Sequence, residues 1–486
     1  MKISEIFNLE KSQRELDFIN IDVEQDLPLF LDPYFLSNRN DAWSTSAYRT
    51  IQSYFQNVTK LLKDGNYKSA ENLFQFLGEP NETCLGVSSG NPRGRGVGAD
   101  EATKIFTYII NSKAIESGIV SHMEDIPVFV ENIGKDKISD LTTNVIRMHL
   151  IEYTKAQCKL HGIPLTKNVQ SGYYWDREKL CWDNILTEML VINERRILLV
   201  PKGVVSYSFR YTPDQYCNHF VLNFLQNEHV RLRTSLVRVE TLKDGSQKIY
   251  PPSKETLREI EKPYKKEYLR EFTKNHPEIY MQFRELTKKD MKSIDDTELA
   301  EDDINLDTFI DYLIDRLSKI TTGSKSASDF HKHIVGVLQF LFYPNLICPI
   351  IEKPIHDGRK RIDITFDNSA NRGFFYQMHD IKKIPCQYIF VECKNYSSEI
   401  VNPELDQLAG RFSPNRGMVG FLVCRDIENK ELFRKRCTDT YKDSRGIILP
   451  IDDKDLISIL NEIKESRSHS AVEVFLNNLL RDIILN

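Results

Sequence analysis

Two short segments, Arg361-Ile362-Asp363-Ile364-Thr365-Phe366 and Tyr388-Ile389-Phe390-Val391-Glu392-Cys393-Lys394-Asn395-Tyr396, constrain the fold of this chain more than any others. Each sets isolated charges among β-branched and aromatic residues, which reads as a β-strand. Residues two apart on a strand leave it on the same face, so Glu392 and Lys394 project together. A carboxylate and an ammonium on one face, beside a strand carrying the Asp363 carboxylate, outline a pocket for a hard cation and a phosphate. Carboxylate oxygens and a backbone carbonyl, that of Cys393, suit Mg²⁺, with Mn²⁺ able to substitute. Such a metal lowers the pKa of a bound water and offsets charge developing on phosphorus, while Lys394 orients the nucleophile or steadies the scissile phosphate. The pattern points to metal-assisted phosphodiester hydrolysis. The other reading of the same three residues is an ordinary cross-strand ion pair of Asp363 with Lys394, with Glu392 in solvent.

Hydrophobic patterning places a definite order of elements around these strands. A helix over 329–342 precedes a strand over 346–355, the Asp363 strand and the Glu392 strand. A helix carrying Gln407 follows, then a strand over 418–424, a basic helix over 429–443 and a strand over 446–450. Asp363, a gap, and Glu392-Cys393-Lys394 in this setting resemble the PD-(D/E)XK nuclease signature. The flanks are most similar to its restriction-endonuclease branch of Mrr type, over roughly residues 326–460. The resemblance implies an α/β C-terminal domain with a restriction-endonuclease-like αβββαβ core, a mixed sheet flanked by helices. It implies Asp363 and Glu392 as Mg²⁺ ligands, Lys394 as the catalytic lysine, and Gln407 near the substrate or nucleophile. Two departures stand out. Relatives of this type often carry a glutamate on the first helix, where this chain has His331, with Asp329 the nearby carboxylate. The gap between the two acidic strands is long, and residues 368–386 read as an excursion at the mouth of a cleft.

A chain of 486 residues is expected to form two or three domains. With 41% apolar and 28% charged residues it reads as globular. No apolar run is long enough to cross a bilayer, and the first residues lack the apolar core of a secretion signal. The nine cysteines are scattered without close pairs, which points to a reduced, cytoplasmic protein rather than a disulfide or zinc framework. The formal net charge of -5 does not announce a nucleic-acid binder, but DNA affinity depends on local cations. Arg359-Lys360-Arg361, leading into the Asp363 strand, and Arg411 read as DNA contacts. Lys382-Lys383 and Arg434-Lys435-Arg436 are further basic clusters.

Residues 1–250 read as an α+β domain that senses or specifies, without a recognised family. It contains a glycine-rich stretch, Gly86 to Gly98, read as a connector with phosphate or DNA-backbone contact the other reading, then a turn and strand over 124–130 and a helix over about 141–160. Four carboxylates, Asp32, Asp125, Asp136 and Asp140, leave room for a second metal site, although capping explains Asp140 or Ser139 adequately. Tyr173-Tyr174-Trp175 and Trp182 read as core or interface packing, with base stacking the other reading. Lysine- and glutamate-rich residues 251–322 read as a charged helical connector, and 323–486 as the nuclease-like domain. Its final helix, over 471–484, is a candidate for self-association. The expected function is a metal-dependent DNA endonuclease in bacterial restriction or anti-phage defence. Its N-terminal domain would answer to a target, a phage component or a partner protein. The alternative is a catalytically inactive nucleic-acid-binding or scaffold protein.

Overall fold

Two helices, α1 (Leu306–Lys319) and α2 (Ala327–Phe342), lead into a five-stranded mixed sheet. Its strands are β1 (Leu346–Ile355), β2 (Lys360–Asn368), β3 (Tyr388–Lys394), β4 (Val419–Cys424) and β5 (Ile447–Asp452), in that spatial order. The pairs β1–β2 and β2–β3 are antiparallel, whereas β3–β4 and β4–β5 are parallel. Parallel neighbours need a crossover, and helices α3 (Asn402–Ala409) and α4 (Lys430–Lys442) supply the two required. Every residue of β4 and β5 is buried, which explains why these strands read as unbroken Val, Ile, Leu and Phe rather than as alternation. Helices α5 (Asp453–Ser466) and α6 (Ser470–Leu485) complete the half. This computed structural model describes residues 1–86, 99–289, 291–299, 305–355, 360–396 and 402–485.

The element order is the one hydrophobic patterning predicts, but the excursion after β2 lies elsewhere than expected. Antiparallel β2 and β3 place their connection at Asn368 and Tyr388, because Asp367 pairs with Tyr388. Asp363 stands five residues back along β2, about 17 Å at strand rise. The excursion forms a short helix, Gly373–Tyr376, and buries Phe374, Phe375 and Met378 in the core. Glu473 of α6 accepts the Phe374 amide at 2.7 Å. It is a core plug at the opposite end of the sheet from the acidic residues.

Helix Ala42–Lys63 dominates the N-terminal half; Asp41 caps it by accepting the Ser44 amide, and its inner face buries Ile51, Tyr54, Phe55 and Val58. A three-stranded sheet (Thr166–Gln170, Leu186–Ile192, Arg195–Ile197) and several two-stranded pairs make up the β content. Three local expectations are corrected. Residues 126–129 are a helical turn rather than a strand, with Pro127 in its first turn, where the missing N–H costs nothing. The helix expected over 141–160 is two, Lys135–Val145 and Arg147–His161, with the break at Ile146. Ser139 therefore caps nothing, and its hydroxyl accepts the Leu31 amide at 2.9 Å.

The charged region 251–322 is not a connector. Helices Lys254–Glu261, Lys266–Asn275 and Pro277–Lys289 pack Leu257, Leu269, Phe272, Tyr280 and Phe283 into the N-terminal core. Helix α1 instead commits Phe309, Ile310, Leu313 and Leu317 to the C-terminal core. The lysines and glutamates decorate the outer faces of amphipathic helices, which composition alone does not separate from a solvated linker. Likewise α6 buries Leu476, Leu479, Leu480 and Ile483 within its own chain, so its apolar face is already occupied.

Polar ties join the two halves. Buried Asp17 accepts from Tyr153 (2.7 Å), from Gln339 of α2 (3.1 Å) and from the Cys348 amide of β1 (3.1 Å). The Trp43 amide, at the start of helix Ala42–Lys63, donates to Asp367 of β2 at 2.9 Å. Among the described residues no helix is long and apolar enough to cross a membrane.

Candidate active site

The β2–β3 ladder runs from Asp367↔Tyr388 to Ile364↔Val391. One further step sets Asp363 opposite Glu392, on the face that Lys394 shares. Asp363 Oδ2 accepts the Cys393 amide at 3.0 Å, closing the ladder with a side chain where the backbone pairing stops. Glu392 is fully buried. Its Oε1 accepts from Lys394 Nζ at 2.8 Å and from Gln407 Nε2 at 2.6 Å, and its Oε2 accepts from Arg411 Nη1. Lys394 Nζ also donates to Gln407 Oε1 at 3.1 Å and stands 5.8 Å from the centre of the Tyr396 ring. Helix α3 supplies Gln407, and Arg411 follows directly after its end. Asp363, Glu392, Lys394, Gln407 and Arg411 therefore converge.

Cys393 points to the other face and is buried, and burial, with Asp363 adding to it, holds its thiol well above the ordinary cysteine range. The Cys393 carbonyl stays on the site side of the chain and receives a hydrogen bond from His331 Nε2 at 3.2 Å. Just beyond, Asn395 donates to the carbonyls of Thr321 and Gly323, both at 2.9 Å, and receives from Arg425 at 3.1 Å. The turn between α1 and α2 is thereby pinned to the residue after Lys394.

A buried carboxylate is tolerated only when paired and hydrogen-bonded. Glu392 has two cations and an amide, more positive charge than one carboxylate needs, and Asp363 on the next strand restores the balance. Burial pulls the Arg411 guanidinium below its ordinary value, while Asp363 pulls it back up. Two carboxylates and a carbonyl are donors of the right kind for Mg²⁺, which usually takes one or two carboxylates and keeps several waters. Arg411 now supplies the countercharge on Glu392 that a divalent ion would replace. Among the described residues no group of three or more His, Cys, Asp or Glu side chains gathers to hold a metal, so two side chains and a carbonyl are the whole protein offering here.

Of the predicted DNA contacts, Arg411 alone has a described side chain. Arg359 lies outside the described residues, and Lys360 and Arg361 open β2 with side chains that are likewise not described. Arg411, expected on a DNA-facing surface, is 7% exposed and held against Glu392. Arg434 pairs with Asp482 of α6 at 2.9 Å and Lys435 with Glu431 of its own helix at 2.8 Å, so both cations already have countercharges. Asp329 is exposed on the first turn of α2. The four N-terminal carboxylates do not assemble: Asp32 caps helix Pro33–Ser37 through the Tyr34 amide, and Asp125 accepts from Tyr211, Tyr280 and Arg284. Most of the glycine-rich stretch, 87–98, lies outside the described residues. Trp175 packs in the core against Tyr54 and Trp182, whereas Tyr173 is exposed.

Sequence reasoning missed the Arg411–Glu392 pair and the Asn395–Arg425 tie. Arg411 lies two residues past the end of α3, and nothing in its local sequence marks it as the partner of Glu392.

A family model described as a domain of unknown function (DUF8370) matches residues 8–212. The match covers part of the N-terminal half and stops well before β2. No curated protein and no solved structure matches the chain.

Proposed function

We propose that the C-terminal half is a metal-dependent endodeoxyribonuclease of the PD-(D/E)XK, restriction-endonuclease-like kind, and that the N-terminal half governs its target or activation. The observation that carries this reading is the convergence of Asp363 and Glu392, from adjacent antiparallel strands, on one face with Lys394. Asp363, Glu392 and the Cys393 carbonyl are the groups that would hold Mg²⁺ or Mn²⁺. The ion supplies charge neutralisation at the scissile phosphate and a water of lowered pKa. The protein's own contribution is positional. The β2–β3 pairing fixes the two carboxylates, and the Cys393 amide orients Asp363. Gln407, bonded to both Lys394 and Glu392, holds the ammonium where it can orient an attacking water or steady a phosphate oxygen. Arg411, once released from Glu392, is a second cation for the phosphate. Restriction or anti-phage defence in a bacterial cytoplasm is the setting such an architecture suits, by analogy alone.

A second reading has its own observation. Both Glu392 oxygens are already satisfied by protein donors in a buried network. That arrangement also suits a nuclease-like scaffold that binds nucleic acid without cutting it. Incubation with supercoiled plasmid and Mg²⁺ or Mn²⁺ separates the two. The nuclease reading expects nicked or linear product that disappears with EDTA and in Asp363→Ala and Lys394→Met. Retarded but intact DNA under both metals contradicts it and supports the scaffold.

A further inference from the structure

A concave pocket of about 520 Å³ opens in the N-terminal half, far along the chain from Asp363 and Glu392. Its size falls among small-molecule sites, which span roughly 300–1,000 Å³. The floor is cationic. Arg147 is buried, donating to Glu82 Oε1 and to Asn144 Oδ1, each at 2.9 Å. Its buried Nε–H has no protein acceptor. Arg196 donates to the same Glu82 oxygen at 2.9 Å. Arg195 lines the pocket too, its guanidinium held by the carbonyls of Val23 and Asn81. Two guanidiniums, Arg147 and Arg196, thus share the one half-buried carboxylate of Glu82, while the other two acids of the lining, Glu79 and Glu194, are exposed at the rim.

Gly172 makes this crowding feasible. At φ +74° an L side chain is strained, and a Cβ there would come within 3.0 Å of Arg147 Nη1 and 3.2 Å of Arg196 Nη1. The next residue turns the wall aromatic. Tyr173 is 44% exposed, and its ring stacks on Phe76 with centroids 3.8 Å apart. Phe76 is braced in turn by Trp182, edge-on at 5.9 Å. An ion cluster built for stability accounts for Arg147 and Glu82 but gives no reason for an open, backed tyrosine beside them.

We propose that this pocket binds a nucleoside phosphate, with the base on the outer face of Tyr173 and the phosphate on the arginine floor. Every nucleobase offers a π face to an aromatic platform, and guanidinium forks match phosphate oxygens bidentately. The ligand can be a free nucleotide or the phosphorylated end of a nucleic-acid strand, since both present the same chemistry. Helix Arg147–His161 starts at this floor, and its Gln157 donates to the Pro349 carbonyl of β1 at 3.2 Å, so one helix touches both the pocket and the C-terminal sheet.

The test is calorimetric titration of the full chain, in EDTA, with AMP, ATP and a 5′-phosphorylated trideoxynucleotide, and with orthophosphate as the comparison. EDTA keeps any metal chemistry out of the measurement, so the result stands whether or not the C-terminal half cuts DNA. One equivalent of at least one nucleotide probe should bind with Kd below about 1 mM and at least about tenfold more tightly than orthophosphate. Arg196→Ala and, separately, Tyr173→Ala should each weaken it at least about tenfold. Tyr173 is a surface residue, so its variant reports binding even if Arg196→Ala disturbs the fold. Preference for AMP or ATP identifies a soluble ligand, and preference for the trinucleotide a strand end; either supports the proposal. No nucleotide binding below about 1 mM, or binding that Tyr173→Ala leaves intact, overturns it.

Discussion

Each half of the molecule buries a carboxylate beneath an arginine, and the two arrangements differ in what else they recruit. In the N-terminal half, Asp125 is fully buried and accepts from the Ser121 and His122 amides, from Tyr211 and Tyr280, and from Arg284. Burial pushes its carboxyl up, but His122 and Arg284 more than offset this and hold it below its ordinary value. Its partners are mostly amides and phenols, which cannot leave without stranding a charge. Neighbouring Glu124 is pushed up by burial and by Asp125 itself. This knot fastens helix Pro277–Lys289 to the N-terminal core. Glu392 instead has a lysine, a glutamine and an arginine, all on side chains, with a second acid on the adjoining strand. A carboxylate surrounded by movable side-chain cations can exchange one of them for another positive group. The comparison teaches that burial and an arginine do not distinguish a fastening from the proposed reactive centre; the kind and charge of the remaining donors do.

Substitutions can break that distinction, and the largest effect belongs to the fastening. Asp125→Ala should cost about 3–5 kcal/mol of stability, because it removes the one buried acceptor that Tyr211, Tyr280 and half-buried Arg284 share. Urea unfolding measures this, and the rate of plasmid cleavage per folded molecule should not change. Lys394→Met should do the reverse, lowering cleavage by about 10²–10³-fold with a melting temperature close to that of the unaltered protein. If Lys394→Met proves the more destabilising of the two, the contrast between the knots collapses.

Asp32 sharpens the comparison through pH. It caps helix Pro33–Ser37 in a buried position, and burial pushes its carboxyl up to about 7. The folded state therefore holds its proton to higher pH than the unfolded chain, so stability falls as pH rises from the unfolded value near 4 and levels off above about 7. Between about pH 5 and 8 the loss should be on the order of 3 kcal/mol, and Asp32→Asn, which can still accept the Tyr34 amide, should remove it. Unfolding curves at both pH values for the two proteins check this. The smallest effect is expected at Gln407, where Leu should slow cleavage about tenfold by freeing the lysine without removing a charge.

Much of the C-terminal half was legible because its strands advertise themselves. Runs such as Val419–Cys424 leave no alternative to a buried parallel strand, and the i, i+2 spacing of Glu392 and Lys394 places them together before any coordinates are known. Gln407 could be named only through the family resemblance, which implies a glutamine on the helix after the Glu392 strand. Arg411 could be named but not placed, since nothing local says whether a guanidinium faces solvent or a carboxylate nineteen residues upstream. The charged helices over 254–289 misled through composition, because their few core residues are outnumbered by the solvated ones. Tyr173, Arg147 and the strand that carries Arg195 and Arg196 are separate elements, and only tertiary packing brings them to one pocket.

The central claim is that Asp363 and Glu392 share a divalent cation. Anomalous diffraction from crystals soaked in Mn²⁺ tests it most directly. We expect a peak bonded to both carboxylates, with Arg411 swung away from Glu392 and Lys394 still in contact with Gln407. Full-strength crystals that show no such peak, with Arg411 still seated on Glu392, would contradict it.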